Sequence, residues 1–570
     1  MQNMLTSKLV TVIESVLADM GAGEIDAASL IEIPPNRELG DYALVCFQLA
    51  RTLRKAPNAI AEEIKRRIDA KLDQEPWISK VEVVNAYVNF FLHAGHAGRA
   101  VVRAILESAE PMERVGEGKT VVIDYSSPNI AKPFHVGHLR STIIGHSLGR
   151  IFQSLGYRVV RLNYLGDWGT QFGKLIVAYR RFGADIDLDQ ATIPDLLRIY
   201  VTFHEEAEKD PSLDDEARAS FLALEQGREE EVALWHRFRE LSLREFERIY
   251  SRLGIEFDAY RGESAYNEKM DETVQALDEL ELLEESEGAL VVHVGDLPPC
   301  LIKKKDGATL YATRDLAAAI DRFETYAFDH LFYVVGAPQQ LHFQQVFAVL
   351  EKMGYEWVGR LEHIPFGHIR IGDAQLSTRK GNVVFLEDLL DDAVKRATAI
   401  IEERNPGLED KEKVAEQVGI GAVIFNDLSH NRIKDISFDW DAALSFEGDT
   451  GPYVQYTHAR TASLLKKSRW NEADLVDAVG PEDLDEPETF ELVKRLAEFP
   501  EVVVRAAEQR EPSEIARHLL SLCQGFNSFY HAHRIVGSDR EKARTALVRA
   551  VQKSVAFGLY LLGIEAPEEM

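Results

Sequence analysis

His135 and His138 stand three residues apart, with Gly137 between them, in the run Pro133–Phe134–His135–Val136–Gly137–His138–Leu139–Arg140. On a helix that spacing puts both imidazoles on one face of a single turn. Two ring N–H donors beside a residue without a side chain suit an anion that must approach the backbone closely, and the anion expected is a nucleotide phosphate. A helix start adds to this, because its first backbone N–H groups lack partners and the macrodipole is positive there. Pro128 and Pro133 cannot sit inside a helix, so the helix is predicted to begin near His135. The competing reading is a pair of surface histidines. With 17 His and 37 Gly in 570 residues, His-x-Gly-His would arise by chance only about 0.03 times, which favours a site.

A second polar stretch, Gln375–Leu376–Ser377–Thr378–Arg379–Lys380–Gly381–Asn382, carries two cations after the strand-like run from Phe366 to Ile371. Taken alone it is a surface turn. A loop of this kind can also fold over a triphosphate and neutralise charge as pyrophosphate leaves.

Several elements must position these residues. The apolar, β-branched run Thr120 to Ile123 precedes the histidines, and apolar residues from Leu139 to Leu148 follow at helical spacing, which reads as strand, turn, helix. Further strands are expected at Tyr157–Asn163 and Phe332–Val335, with helices between them, and the apolar Leu290–Val292 segment belongs to the start of the second half. That alternation implies a parallel sheet with ligands at the carboxyl ends of its strands. Residues from about 175 to 253 read as a helical insertion, and its run Glu229–Glu230–Glu231 as solvated surface. From Leu386 onward the pattern is almost wholly helical, and a bundle is the simplest architecture. The division expected is an N-terminal α/β domain over 1–115, a parallel-sheet domain over 116–385 and a helical domain over 386–570.

The 570-residue length calls for several cores, and 45% hydrophobic with 28% charged residues is globular composition. Three scattered cysteines, Cys46, Cys300 and Cys523, form no Cys-x-x-Cys pair. A disulfide framework and a thiolate zinc site are therefore not expected, and a reducing, cytoplasmic setting is. No run is long and apolar enough to span a bilayer, so no membrane partner is expected. A net charge of −29 argues against general nucleic-acid affinity but leaves room for a local, shaped RNA site. Two stretches could supply one. Asn89 and Phe91 alternate on a predicted strand, as suits an unpaired base, and Gly451–Arg460 gathers Tyr453, Gln455, Tyr456, His458 and Arg460.

The longer string Ser126–Ser127–Pro128–Asn129–Ile130–Ala131–Lys132–Pro133–Phe134–His135–Val136–Gly137–His138–Leu139–Arg140–Ser141–Thr142 resembles the ATP-binding signature of class I aminoacyl-tRNA synthetases, in the form carried by the arginyl-tRNA synthetase family. The resemblance implies a Rossmann-type catalytic domain, Mg-ATP and L-arginine as substrates, tRNA(Arg) as partner, no structural zinc and a monomer. Pro133, His135, Gly137 and His138 would bind ATP, together with Ser377, Thr378, Arg379 and Lys380. Ser377 stands where many class I enzymes place a lysine, so Lys132 is expected to reach the α-phosphate while Arg379 or Lys380 closes over the outer phosphates. Tyr311, Asp315 and Glu263 would hold the guanidinium, whose rigid fork of donors calls for carboxylate acceptors. Asn129, Gln339 and Asp124 would bind the α-amino end. The N-terminal domain and the bundle would contact tRNA. Two rivals remain at this stage: another class I synthetase, such as one for cysteine, and a non-catalytic tRNA-binding relative.

Overall fold

The structure, a computed structural model, describes residues 4–108, 112–305, 311–371, 385–480 and 482–570. The N-terminal unit packs the helices Met4–Asp19 and Pro57–Asp69 against an antiparallel sheet. Its strands are β1 (Ile31–Glu32), β2 (Tyr42–Val45), β3 (Ile78–Val84) and β4 (Tyr87–Leu92), in the order β1-β2-β4-β3. Asn85 and Ala86 join β3 to β4 with φ of 49° and 64°, the left-handed pair that a two-residue hairpin requires. Val81, Val88, Phe90 and Leu92 point into the core.

The second unit begins with β5 (Thr120–Asp124), β6 (Arg158–Asn163) and β7 (Ala259–Tyr260). It continues through β8 (Glu284–Ser286), β9 (Ala289–Val294) and β10 (Leu297–Lys303) to β11 (His330–Gly336) and β12 (Leu361–Phe366). Five of these form one parallel sheet in the order β12-β11-β5-β6-β7. Every residue of β5 is buried, which is why its middle, Val121–Ile123, is an unbroken apolar run and not an alternation. The chain moves from β5 to one side, then returns to lay β11 on the other, so the order reverses between β5 and β11. A crevice opens at such a reversal, outside the carboxyl ends of the two strands.

The apolar segment Leu290–Val292 does not join this sheet. That run lies in β9, in a separate antiparallel sheet of order β10-β9-β8. Glu287 and Gly288, both at positive φ (51° and 82°), make the link from β8 to β9 a tight hairpin. A parallel neighbour would have needed a crossover of a dozen residues.

Four helices, Thr170–Phe182, Ile193–Ala207, Ser212–Glu225 and Glu229–Arg252, form the insertion. The C-terminal part is helical except at β14 (Ile436–Phe438), which pairs in parallel with β13 (Ile369–Ile371). Ile436 and Phe438 are buried and Ser437 between them is exposed, a two-residue period that the helical reading overlooked. The signature helix Val136–Ser154 is buried on nearly all sides, and its far half is gripped by the last bundle helix, Glu541–Leu562. Ser147 Oγ donates to Leu561 O (2.8 Å) and Arg150 Nη1 to Tyr560 O (2.7 Å). All three cysteines are free and buried. Burial pushes the thiols up, to about 11 for Cys300 and about 12 for Cys46 and Cys523. Among the described residues no helix is long and apolar enough to cross a membrane.

Candidate active site

The turn that leaves β5 is strained and is held by hydroxyls. Ser126, Ser127 and Ala131 have φ of 71°, 48° and 57°, each costing roughly 1–3 kcal/mol unless the surroundings enforce it. They do so here. Ser126 N–H donates to Ser141 Oγ (2.9 Å), whose own hydrogen goes to Val334 O (2.7 Å) on β11. Ser126 Oγ lies 2.7 Å from Tyr250 OH, and Ala131 N–H donates to Ser242 Oγ (2.8 Å), both on the insertion helix Glu229–Arg252.

His135 is the N-cap of the signature helix. Its Nδ1 accepts from Gly137 N–H (3.0 Å), while His138 Nδ1 accepts from His135 N–H (3.2 Å), a reciprocal capping box built from two imidazoles. These bonds fix the tautomers, because a ring that accepts at Nδ1 carries its hydrogen at Nε2. The rings lie 4.0 Å apart, and Phe134 stacks on His138 at 5.1 Å. Burial pushes His138 down to about 3, helped by the neighbouring His135 and Lys132. Burial and Lys132 likewise lower His135. At neutral pH the turn therefore offers two uncharged Nε2–H donors, with the Lys132 ammonium as its nearby cation. Lys132 is solvent-exposed along much of its length, yet partial burial draws its ammonium below the usual lysine range.

A second constellation lies at the strand ends. Asp124, the last residue of β5, pairs with Arg322 (2.8 Å) and accepts from Ser127 Oγ (3.0 Å). Glu263 accepts from Arg314 Nη1 (3.2 Å), and Asp315 lies 2.6 Å from His342 Nε2. Each candidate carboxylate thus already has an internal partner. Burial pushes the Asp124 carboxyl up, opposed by Arg322 and Ser127, and Asp315 adds to the rise. Burial raises Glu263 to about 7 in spite of Arg314, with Asp315 and Asp167 adding. Acids that disfavour one another's charge in a buried crevice make a site that a cation would relieve. Asn129 is half-buried and bridges to Gly166 through its backbone, where a Cβ would lie 2.0 Å from Asn129 Oδ1. Tyr311, 66% exposed, opens the helix Tyr311–Tyr326 one turn before Asp315, and Gln339 is exposed just beyond β11. Neither hydrogen-bonds to the three carboxylates among the described residues.

Ser377, Thr378, Arg379 and Lys380 lie outside the described residues. The described residues on either side of them are β13 and Phe385–Leu386. Phe385 bridges to His135 while Leu386 N–H donates to Phe134 O (2.9 Å).

Comparison with known proteins identifies the family. Residues 101–440 match the model for tRNA synthetases class I (R), catalytic domain. Residues 454–570 match the DALR anticodon binding domain, and residues 7–92 the arginyl tRNA synthetase N terminal domain. The arginine–tRNA ligase of Clostridium beijerinckii is 51% identical, over 96% of this chain and 97% of its own. That of Halothermothrix orenii is 47% identical over 99% of each. The chain belongs to the arginyl-tRNA synthetase family. The solved Thermus thermophilus arginyl-tRNA synthetase superposes with a TM-score of 0.82 at 28% identity, over all of both chains. The Rossmann-type fold class, with its small N-terminal unit and helical C-terminal part, stands with the family.

The residues expected to face RNA divide by environment. On the bundle helix Gly451–Lys467, Arg460 lies over the rings of Tyr456 (4.8 Å) and Tyr530 (5.3 Å) and donates to Asn527 Oδ1 (2.8 Å), and Asn527 in turn donates to Tyr453 OH (2.8 Å). Tyr456 and Tyr530 are exposed. Gln455 and His458 face inward instead. Gln455 Nε2 donates to Gln417 O (3.0 Å) and Glu565 O (2.9 Å), and His458 Nδ1 lies 2.8 Å from Pro567 O, so both hold the C-terminal tail. In the N-terminal sheet Asn89 is 3% exposed, and the Lys80 ammonium sits 4.0 Å over the half-buried Phe91 ring.

The sequence reading missed several residues that contact the candidates: Arg314, His342, Arg322, Ser242 and Tyr250 around the crevice, and Asn527 and Tyr530 in the bundle. Arg314 and Asp315 are neighbours in the chain. Their helical positions turn them apart, Arg314 toward Glu263 and Asp315 toward His342. No sequence signal pairs residues so distant along the chain.

Proposed function

We propose that this chain joins L-arginine to tRNA(Arg) in two steps. The arginine carboxylate attacks the α-phosphorus of ATP and the bond to the β-phosphate oxygen breaks, giving arginyl-adenylate and pyrophosphate. A terminal ribose hydroxyl of the tRNA then attacks the arginyl carbonyl, loses its proton and releases AMP. The observation that carries this reading is that two fixed Nε2–H donors and three coupled carboxylates meet at one end of one parallel sheet. The carboxylates suit a guanidinium, and the histidine turn suits a phosphate on which charge develops. Lys132 would add positive charge at the α-phosphate, with Arg379 or Lys380 at the outer ones. Mg2+ would enter on the ATP phosphates and neutralise part of their charge. Among the described residues no cluster of His, Cys, Asp or Glu could hold a metal ion by itself. Tyr453, Tyr456 and Arg460 would meet unstacked tRNA bases, with Tyr530 beside them. The reading extends to a monomer in the cytoplasm, where buried free thiols stay reduced. ATP–pyrophosphate exchange with tRNA present, run across the amino acids, tests it: arginine alone should support exchange, and exchange with cysteine instead, or with none, would reject it.

Two results should follow. A Cβ on Gly137 would lie 2.7 Å from His135 Cε1 and 2.8 Å from its Nδ1, so Gly137→Ala must push the ring out of its cap. The expected cost is about 1 kcal/mol of stability and a drop of about tenfold or more in exchange kcat, since misplaced groups are costly in rate. Melting and exchange kinetics check this. Glu263, held at about 7, should be pulled back toward ionisation by a bound guanidinium. Arginine binding should then tighten as pH rises from 4.5 through about 7 and release a proton there, whereas the ligand-free fold loses stability over the same rise. Calorimetry in two buffers of different ionisation heat should register the proton, and Glu263→Gln should abolish it.

A further inference from the structure

Arg140 lies two residues past His138 on the signature helix and is 1% exposed. Its Nε is 3.1 Å from Asp427 Oδ2 and 3.2 Å from Oδ1, and its Nη1 donates to Lys434 O (2.9 Å). Asp427, also 1% exposed, sits in the last turn of the bundle helix Lys411–Leu428. The chain that follows it is a strap across the link from β12 to β13. Arg432 Nη1 donates to Pro365 O (2.6 Å), Gly367 N–H to Arg432 O (2.9 Å), His368 N–H to Asp435 Oδ1 (2.7 Å) and Ile436 N–H to His368 O (2.8 Å). From there β14 pairs with β13, the strand that precedes residues 372–384. One guanidinium thus joins the histidine turn, the bundle and the β13–β14 pair, and Phe385 and Leu386 are in turn bonded to His135 and Phe134.

Packing alone does not call for charges here, because a buried ion pair is usually no more stable than an apolar pair of the same volume. What a guanidinium adds is direction: its fork can satisfy a carboxylate and a carbonyl only in one register. We propose that Arg140, oriented by Asp427, is a positioning residue for adenylate formation, setting the register of the His135–His138 turn against the β13–β14 pair and tying both to the bundle. The inference rests on the functional reading above, in which that turn serves ATP.

The test is the double variant Arg140→Met with Asp427→Leu, which fills the space and leaves no lone buried charge. It should melt near the wild-type temperature and keep its arginine KM. Its exchange kcat should fall about tenfold or more, the scale expected when reacting groups are displaced by a fraction of an ångström to an ångström. The Gly137 amide, protected by the histidine cap, should exchange with deuterium faster. Wild-type kcat and wild-type protection in the folded double variant would overturn the proposal. Should the double variant fail to fold, Arg140→Lys decides. It keeps the charge beside Asp427 but not the fork to Lys434 O, so kcat should fall at constant KM, and an unchanged kcat would overturn the proposal. If the wild-type chain showed no arginine-dependent exchange at all, the functional reading would fail, and the amide comparison would still decide the positional claim.

Discussion

Asp315→Asn should raise the arginine KM by about 100-fold while leaving the ATP KM near its wild-type value. The reasoning is one of charge at constant shape. Asn can still accept from His342 Nε2, so the helix and its neighbour stay in place. The guanidinium loses a charged acceptor for its fork, and two hydrogen bonds to a charged group at about 1.5 kcal/mol each amount to about 3 kcal/mol, or two powers of ten in affinity. Lysine should not recover what arginine loses, because its single ammonium cannot use the fork geometry. The fold should not suffer. Asp315 raises the carboxyls of both Asp124 and Glu263, so removing its charge lets each ionise more readily. Equal arginine affinity in the variant, measured by tRNA-dependent exchange or calorimetry, would remove Asp315 from the pocket.

His138→Ala should lower exchange kcat by about 100- to 1000-fold, the range seen when one fixed donor to a developing negative charge is removed. It also deletes the acceptor for His135 N–H, a cap worth about 1 kcal/mol of stability. His138→Asn separates the two effects. Its amide oxygen can accept the cap bond and restore the melting temperature, but nothing then stands where the imidazole Nε2–H did, so the rate should stay low. The loss should be equal at pH 6 and pH 8. His138 is held at about 3, well below its usual range, and is neutral at both. A defect that vanished at the higher pH would mean that the imidazolium, and not the neutral ring, does the work.

The parts of this molecule that were legible in its sequence are those set by local physics. The run Thr120–Ile123 announced a buried strand, two prolines and a histidine marked the helix start, and the spacing of His135 and His138 put both rings on one turn. What could not be read is what depends on partners far along the chain. Tyr311 and Asp315 were expected to face one pocket, yet whether Asp315 meets Arg314 or His342 depends on how two helices pack. Gln455 and His458 shared a motif with Tyr453, Tyr456 and Arg460, and only the path of the C-terminal tail shows that those two face inward. Leu290–Val292 was legible only as an apolar segment, and it lies in a strand. The hairpin at Glu287–Gly288 decides that it joins another sheet.

The sheet order also bears on how the molecule comes into being. β5 pairs with β6 almost at once, but its other neighbour, β11, begins at His330. The carboxylate that orients Arg140 arrives only at Asp427, and the carbonyls that grip the far end of the signature helix only at Tyr560 and Leu561. A polypeptide emerging from a ribosome therefore exposes that apolar helix through most of its own synthesis. Such long-range closure is slow and leaves sticky surface open in the interim. Nascent chains stalled before residue 427 should thus engage holding chaperones, and acquire neither the paired imidazole cap nor the resistance to proteases that a finished core confers.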